Sequence, residues 1–251
     1  MRAIRSRYAE YVALGAVLLL AAWLRLGWPG VSEFKGDEAG VVKLALDLVE
    51  GQAIPLQGTG TSIGLVESPM SVYVYAIPFA FTRDPLAATL FTGLLNVGAV
   101  ALCWWVGRRY GGQAAGLCAA LLFASSPWAV FFSRKVWEPN VLPPFALASV
   151  VTGLLAFLER RRWALVAHLF LLAVTVQFHY SGFLIAPLTL LMLIIYRKRV
   201  DVRMLAVGMG LAAMTMIPFA LSLARGWRDM RPALAAFASG ASRWDAGSLW
   251  M

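Results

Sequence analysis

Residues 69–81, PMSVYVYAIPFAF, decide how this chain is laid out. The run is apolar, but it is shorter than the ~20 residues a helix needs to cross a hydrocarbon core. Seven other stretches are better candidates: 11–28, 85–106, 114–132, 141–158, 163–178, 182–196 and 204–224. If 69–81 also crosses, every later segment changes sides.

Charge settles the choice. With 69–81 kept out of the membrane and the N-terminus inside, the inner loops hold nine basic residues. They are Arg108 and Arg109, then Arg160, Arg161 and Arg162, then Arg197, Lys198, Arg199 and Arg203. The two short outer loops hold only Arg134 and Lys135. Positive residues collect on the cytoplasmic side of membrane proteins. The sequence therefore places 69–81 on the outer surface, as a re-entrant or interfacial helix.

Composition agrees. Of 251 residues, 60% are hydrophobic and 14% charged, and mean hydropathy is +0.71. A soluble domain of this length needs more polar surface. The net charge of +9 is a topology signal on inner loops, which excludes a nucleic-acid patch. Arg2, Arg5 and Arg7 precede the first apolar run, and no small-residue cleavage site follows it, so it reads as a retained anchor. Cys103 and Cys118 fall inside apolar runs, where a disulfide framework is not expected.

The expected fold class is all-α: a polytopic membrane protein with seven transmembrane helices. Residues 1–224 form the membrane module, and 225–251 an external C-terminal segment. The first external loop, 29–84, is long and carries amphipathic surface helices; the second is 133–140. Within the first loop, Val41, Leu44, Ala45 and Leu48 recur at helical spacing and Gly51 follows. That pattern predicts a helix over 37–50 lying on the membrane with its apolar face down. Asp37 stands where an N-cap is expected. The Gly- and Thr-rich stretch 52–66 reads as a flexible loop.

The order of motifs resembles the GT-C superfamily of membrane glycosyltransferases. It resembles in particular the branch of the protein O-mannosyltransferases and lipid A aminoarabinose transferases. Asp37-Glu38 opens a surface helix after the first span. Glu67-Ser68-Pro69 begins a second amphipathic run. Arg108-Arg109-Tyr110-Gly111 turns after the second span. Ser133-Arg134, followed by Glu138-Pro139, opens the second external loop. Two positions depart from the pattern: the second-loop acid is commonly Asp, and the aminoarabinose branch has Lys where Ser68 stands. Family members are usually longer, so the chain reads as a short member or as part of a longer protein.

The resemblance implies transfer of a sugar from a polyprenyl-phosphate carrier to an acceptor on the outer face. The acceptor, whether protein, lipid or glycan, is left open, and nucleic acid is not expected. Such a reaction needs a carboxylate to take the acceptor's proton and a cation to meet the departing phosphate. The expected catalytic acids are Asp37, Glu38 and Glu138, with Asp37 as the base. Arg134 and Lys135 are expected to hold the donor phosphate, Arg134 foremost because its planar fork suits bidentate contact. Glu67, Trp137, His179 and Tyr180 are candidates for substrate contact, all on the outer side. No cofactor is demanded, although two or three carboxylates can hold a divalent ion. His168, inside a span, reads as an interhelical hydrogen-bonding residue.

Two other classes compete: a transporter or flippase for a lipid-linked substrate, and a non-catalytic subunit of a membrane complex. A transporter places ionisable groups at mid-membrane depth, whereas the acids here collect outside. The expected location is the cell membrane, with the active site on its extracytoplasmic face.

Overall fold

A computed structural model describes residues 2–60 and 67–238. Within them the chain is all-helical, with no β-strand. The helices are α1 (Arg2–Leu26), α2 (Gly36–Val49), α3 (Met70–Phe79), α4 (Leu86–Ser125), α5 (Pro127–Phe132), α6 (Leu142–Phe157), α7 (Arg162–Phe178), α8 (Ile185–Ile195) and α9 (Val202–Ala238). Four helical stretches are long and apolar enough to cross a membrane: Tyr8–Leu26, Leu86–Ser125, Glu138–Phe157 and Val202–Gly226. Helices Arg162–Phe178 and Tyr180–Ile195 are apolar and shorter. Residues 61–66 of the expected flexible loop and 239–251 of the C-terminal segment lie outside the described residues.

The 40 residues of α4 do not form one rod. Gly112 breaks it with φ +87°, a conformation that a side chain disfavours. The chain reverses there. A Cβ on Gly107 would lie 2.8 Å from the Ala115 carbonyl oxygen, and one on Gly116 would lie 2.8 Å from that of Trp104. Two limbs therefore meet backbone to backbone, as small residues permit between helices in lipid. The second limb is shorter than the expected span 114–132. It ends at Ser125, because Pro127 starts the short α5.

Three ion pairs tie down the basic end of the bundle. Arg108 pairs with buried Glu10 of α1, Arg109 with Glu159, and Arg162 with Asp201 at 3.6 Å. At the other end, Arg25 of α1 is 1% exposed. Its guanidinium donates to the carbonyls of Ala124 (2.8 Å) and Phe123 (2.8 Å). These are terminal carbonyls of α4 with no helical partner of their own, and a cation there also meets the negative end of the helix dipole. Arg25→Leu should lower the thermal midpoint of the detergent-solubilised protein markedly. Each buried acceptor left alone costs roughly 1–3 kcal/mol. An unchanged midpoint would mean those carbonyls find other partners.

Helix α2 begins one residue before the expected 37–50 and ends at Val49, ahead of Gly51 with φ +71°. Its apolar face does not rest on lipid. Val41, Val42 and Ala45 are buried in one cluster with Val72, Tyr75 and Phe79 of α3. Two short helices gain more by covering each other's apolar side chains than by each lying alone at an interface. His168 behaves as expected. Its ring bonds the Ser149 carbonyl of α6 (2.8 Å) and Thr189 of α8 (3.0 Å).

Candidate active site

The loop 133–140 is clamped onto the bundle. Tyr75 is fully buried, and its hydroxyl donates to the Trp137 carbonyl (3.1 Å) and accepts the Trp137 N–H (3.2 Å). Asn140 donates to the Lys135 carbonyl (2.9 Å), and Asn96 of α4 donates to that of Asn140 (3.0 Å). The side chains of Arg134 through Glu138 therefore project from a fixed backbone. Beneath them lies the cluster of Val41, Tyr75, Phe79, Val136, Val141 and Phe178.

The Asp-Glu pair divides its work. Lys35, not Asp37, is the N-cap of α2, which corrects the expected cap role. Glu38, three residues on, reaches back to accept the Lys35 N–H at 2.8 Å, one half of a capping box. Glu38 is buried, and its other oxygen meets Lys135 at 2.7 Å. Burial alone pushes its carboxyl up. Lys135 and the backbone donors outweigh that and hold it below the usual range. Lys135 also pairs with Glu33 (2.9 Å) and sits 5.5 Å from the Trp137 ring centre. Glu33, gripped by Lys35 and Lys135, is pulled down to about 2. Asp37, at the second helical position, is exposed and has no capping duty.

Two acids gather beside it. Glu138 is 1% exposed and accepts the Thr59 hydroxyl at 2.7 Å. Glu67 hydrogen-bonds Glu138 and lies within electrostatic reach of Asp37. Burial first, then the Glu138 charge, pushes the Glu67 carboxyl up to about 7. The Glu138 charge beside it makes ionising Glu67 costly, so Glu67 keeps its proton to near neutrality. The stems of the 52–66 loop hold this geometry. The Gly58 N–H donates to the Glu67 carbonyl (2.8 Å), and the Glu67 N–H to that of Thr59 (3.2 Å).

This pair makes stability depend on pH. The folded chain keeps the Glu67 proton up to about 7, whereas an unfolded Glu releases it near pH ~4.3. Folded protein binds more protons between those values, so stability falls as pH rises through that window. The thermal midpoint should drop by a few degrees from pH 5 to 8, and Glu67→Gln should flatten that drop. A wild-type slope in Glu67→Gln would assign the effect elsewhere.

Glu67 also faces a second set of residues. With Gln177, His179, Tyr180 and Met216 it lines a cavity of about 90 Å³. His179 accepts the Ser181 N–H (3.2 Å), and its ring lies 6.2 Å from that of Tyr180. Ser68 donates to Gln177 of α7 (3.0 Å), which donates to Thr215 of α9 (2.9 Å). The site thus spans α2, α3, α7 and α9.

Arg134 turns away from the acids. It donates to the carbonyls of Trp28 (2.8 Å) and Leu24 (3.3 Å) at the end of α1. No carboxylate among the described residues pairs with it. It lines a cavity of about 480 Å³ together with Ser32, Glu33, Pro127 and Lys135. Trp137, with Asn96, Trp128, Phe132 and Asn140, lines another of about 310 Å³. Among the described residues, no group of three or more His, Cys, Asp or Glu side chains is arranged to hold a metal ion.

The arrangement joins Asp37, Glu67 and Glu138 at one end of an apolar helical bundle, and binds Lys135 to Glu38. Sequence reading had ranked Glu67 only as a substrate contact. It had missed Thr59, Glu33 and Arg25 altogether. Of these, Arg25 left a signal, as a lone charge within an apolar run.

The described residues form an apolar helical bundle with carboxylates and cations gathered at one end. The chain belongs to the dolichyl-phosphate-mannose-protein mannosyltransferase family, whose sequence model matches residues 66–221. No curated protein and no solved structure matches the chain. The family points to a mannosyltransferase-like glycosyltransferase in a membrane, with a polyprenyl-phosphate-linked sugar as donor. The matched region holds Glu67, Arg134, Lys135, Trp137, Glu138, His179 and Tyr180. Asp37 and Glu38 precede it.

Proposed function

We propose that the chain moves a sugar from a polyprenyl-phosphate donor to an acceptor hydroxyl at the outer face of the cell membrane, with Asp37 as the general base. One observation carries this reading. Glu38 takes the helix-capping bond and the Lys135 pair, which leaves Asp37 an exposed carboxylate beside a protonated carboxyl. An ionised carboxylate can take the hydroxyl proton as the sugar carbon is attacked. Glu67 and Glu138 hydrogen-bond each other within electrostatic reach of Asp37, and their carboxyl groups suit sugar hydroxyls. Arg134 meets the lipid phosphate from the 480 Å³ cavity. Its charge is not cancelled by a carboxylate, whereas Lys135 already holds two. The sugar therefore lies between Arg134 and Asp37.

The topology that fits is seven crossings, with the two limbs of α4 counted separately, the N-terminus inside, and α2 and α3 outside. Cysteine labelling in intact cells tests the face, on a background lacking Cys103 and Cys118. Gln52→Cys should react with an impermeant thiol reagent, and Ala114→Cys, beside the Gly112 turn, only after lysis. Outward labelling of Ala114→Cys would invert the orientation. A donor that crossed the bilayer with its sugar intact would support a transporter instead.

A further inference from the structure

The basic end of the bundle holds a second site that the sugar chemistry does not use. The 16 residues of α6 separate it from the acids, about 24 Å at 1.5 Å per residue. A narrow cleft there is lined by Arg160, Arg161, Arg162 and Arg199, against a single acid, Asp201. Asp201 is engaged by Arg162. Arg160, Arg161 and Arg199 form no ion pair among the described residues. Nearby Glu159 is already held by Arg109 and Tyr110.

The cleft continues into an apolar cavity of about 220 Å³ between α6, α7 and α8. Phe157 and Tyr196 line both. Their rings stack 6.2 Å apart and form the threshold between the charged and the greasy part. Leu158 and Leu188, on the cavity wall, are 46% and 51% exposed, so the cavity opens sideways, where lipid would lie.

The backbone adds an independent sign. Arg160 has φ +58°. That region costs an ordinary residue roughly 1–2 kcal/mol and is where glycine is usual. An arginine kept in such a turn, beside three more, is a strained position of the kind that marks ligand sites.

We infer that this cleft and cavity bind one anionic phospholipid of the adjacent leaflet, its phosphate on Arg160, Arg161 and Arg199 and an acyl chain in the cavity beyond Phe157 and Tyr196. Guanidinium groups take phosphate oxygens in pairs. Basic pockets between spans at a membrane surface suit anionic headgroups. A chain running past the aromatic threshold would fill a space that is otherwise greasy and open.

The test uses the full chain in detergent, titrated with phosphatidylglycerol and read by native mass spectrometry. Phosphatidylcholine with the same acyl chains is the control. Phosphatidylglycerol should be retained about tenfold better, given the worth of each basic residue near anionic lipid. Arg161→Ala/Arg199→Ala should lose that preference. Leu188→Trp, which narrows the cavity and leaves the arginines, should weaken both lipids. Arg160→Gly is the decisive variant. It relieves the strained turn, so it should melt no lower than wild type, yet hold phosphatidylglycerol less well. Equal retention of the two lipids, or Arg160→Gly binding phosphatidylglycerol like wild type, would overturn the site. So would complete displacement of the lipid by inorganic phosphate, which would make the cleft a free-phosphate site.

Discussion

Asp37→Asn is expected to slow sugar transfer by roughly 10²–10⁴-fold, the usual loss when a general base is removed, while donor affinity stays near wild type. The structure makes this substitution clean. Asp37 caps nothing, because Lys35 is the N-cap and Glu38 supplies the side-chain bond. The amide keeps the size of the carboxyl and leaves the Lys35–Glu38 bond in place, so α2 should persist. Glu38→Gln is the contrasting variant. It weakens the ion pair with Lys135 and leaves that lysine paired with Glu33 alone, so its defect should appear as lost thermal stability as well as lost turnover. Turnover and thermal midpoint measured on both variants separate the two roles. Asp37→Asn with the profile expected of Glu38→Gln would place Asp37 in the scaffold.

Arg134→Ala is expected to weaken donor binding by roughly 10–100-fold, as loss of a hydrogen bond to a charged group of 1.5–3 kcal/mol implies. It should slow transfer as well. The lipid phosphate is charged before and after the reaction, so its cation acts in the ground state and in the transition state alike. Arg134 also ties the loop to the Leu24 and Trp28 carbonyls, and Arg134→Lys separates these duties. A lysine keeps a cation but cannot reproduce the two-pronged fork. It should recover part of the donor affinity and little of the carbonyl bonding. Titration of a polyprenyl-phosphate sugar into nanodisc-held protein reads this. Donor affinity unchanged in Arg134→Ala would move the phosphate to another cation.

The helices were readable because apolar runs and basic turns are local properties of the chain. Gly111-Gly112 between two such runs carried the α4 reversal, and Gly51 the end of α2. The site was legible as residue types but not as partnerships. Asp37 looked like a cap because α2 was expected to begin at 37. Beginning at Gly36 passes the reach-back bond to Glu38. No local pattern reports that Glu67 touches Glu138, since the two lie on loops far apart in sequence that meet through packing on Tyr75 and the Thr59 stem. The apolar face of α2 could equally have met lipid or protein, and only tertiary packing chose α3. Arg25 was the reverse case: a visible charge in an apolar run whose meaning needed the end of α4 beside it.

The most direct test is the release of free polyprenyl phosphate. Wild-type chain and Asp37→Asn, each in proteoliposomes, are given a polyprenyl-phosphate-linked mannose together with cell-envelope extract as the source of acceptor hydroxyls, and the sugar-free lipid is measured over time. The expected result is steady release by wild type and at least a hundredfold slower release by Asp37→Asn, the lower end of a general-base effect, at equal donor occupancy. Equal release by the two proteins, or bound donor that stays intact with wild type, would contradict sugar transfer at this acidic cluster.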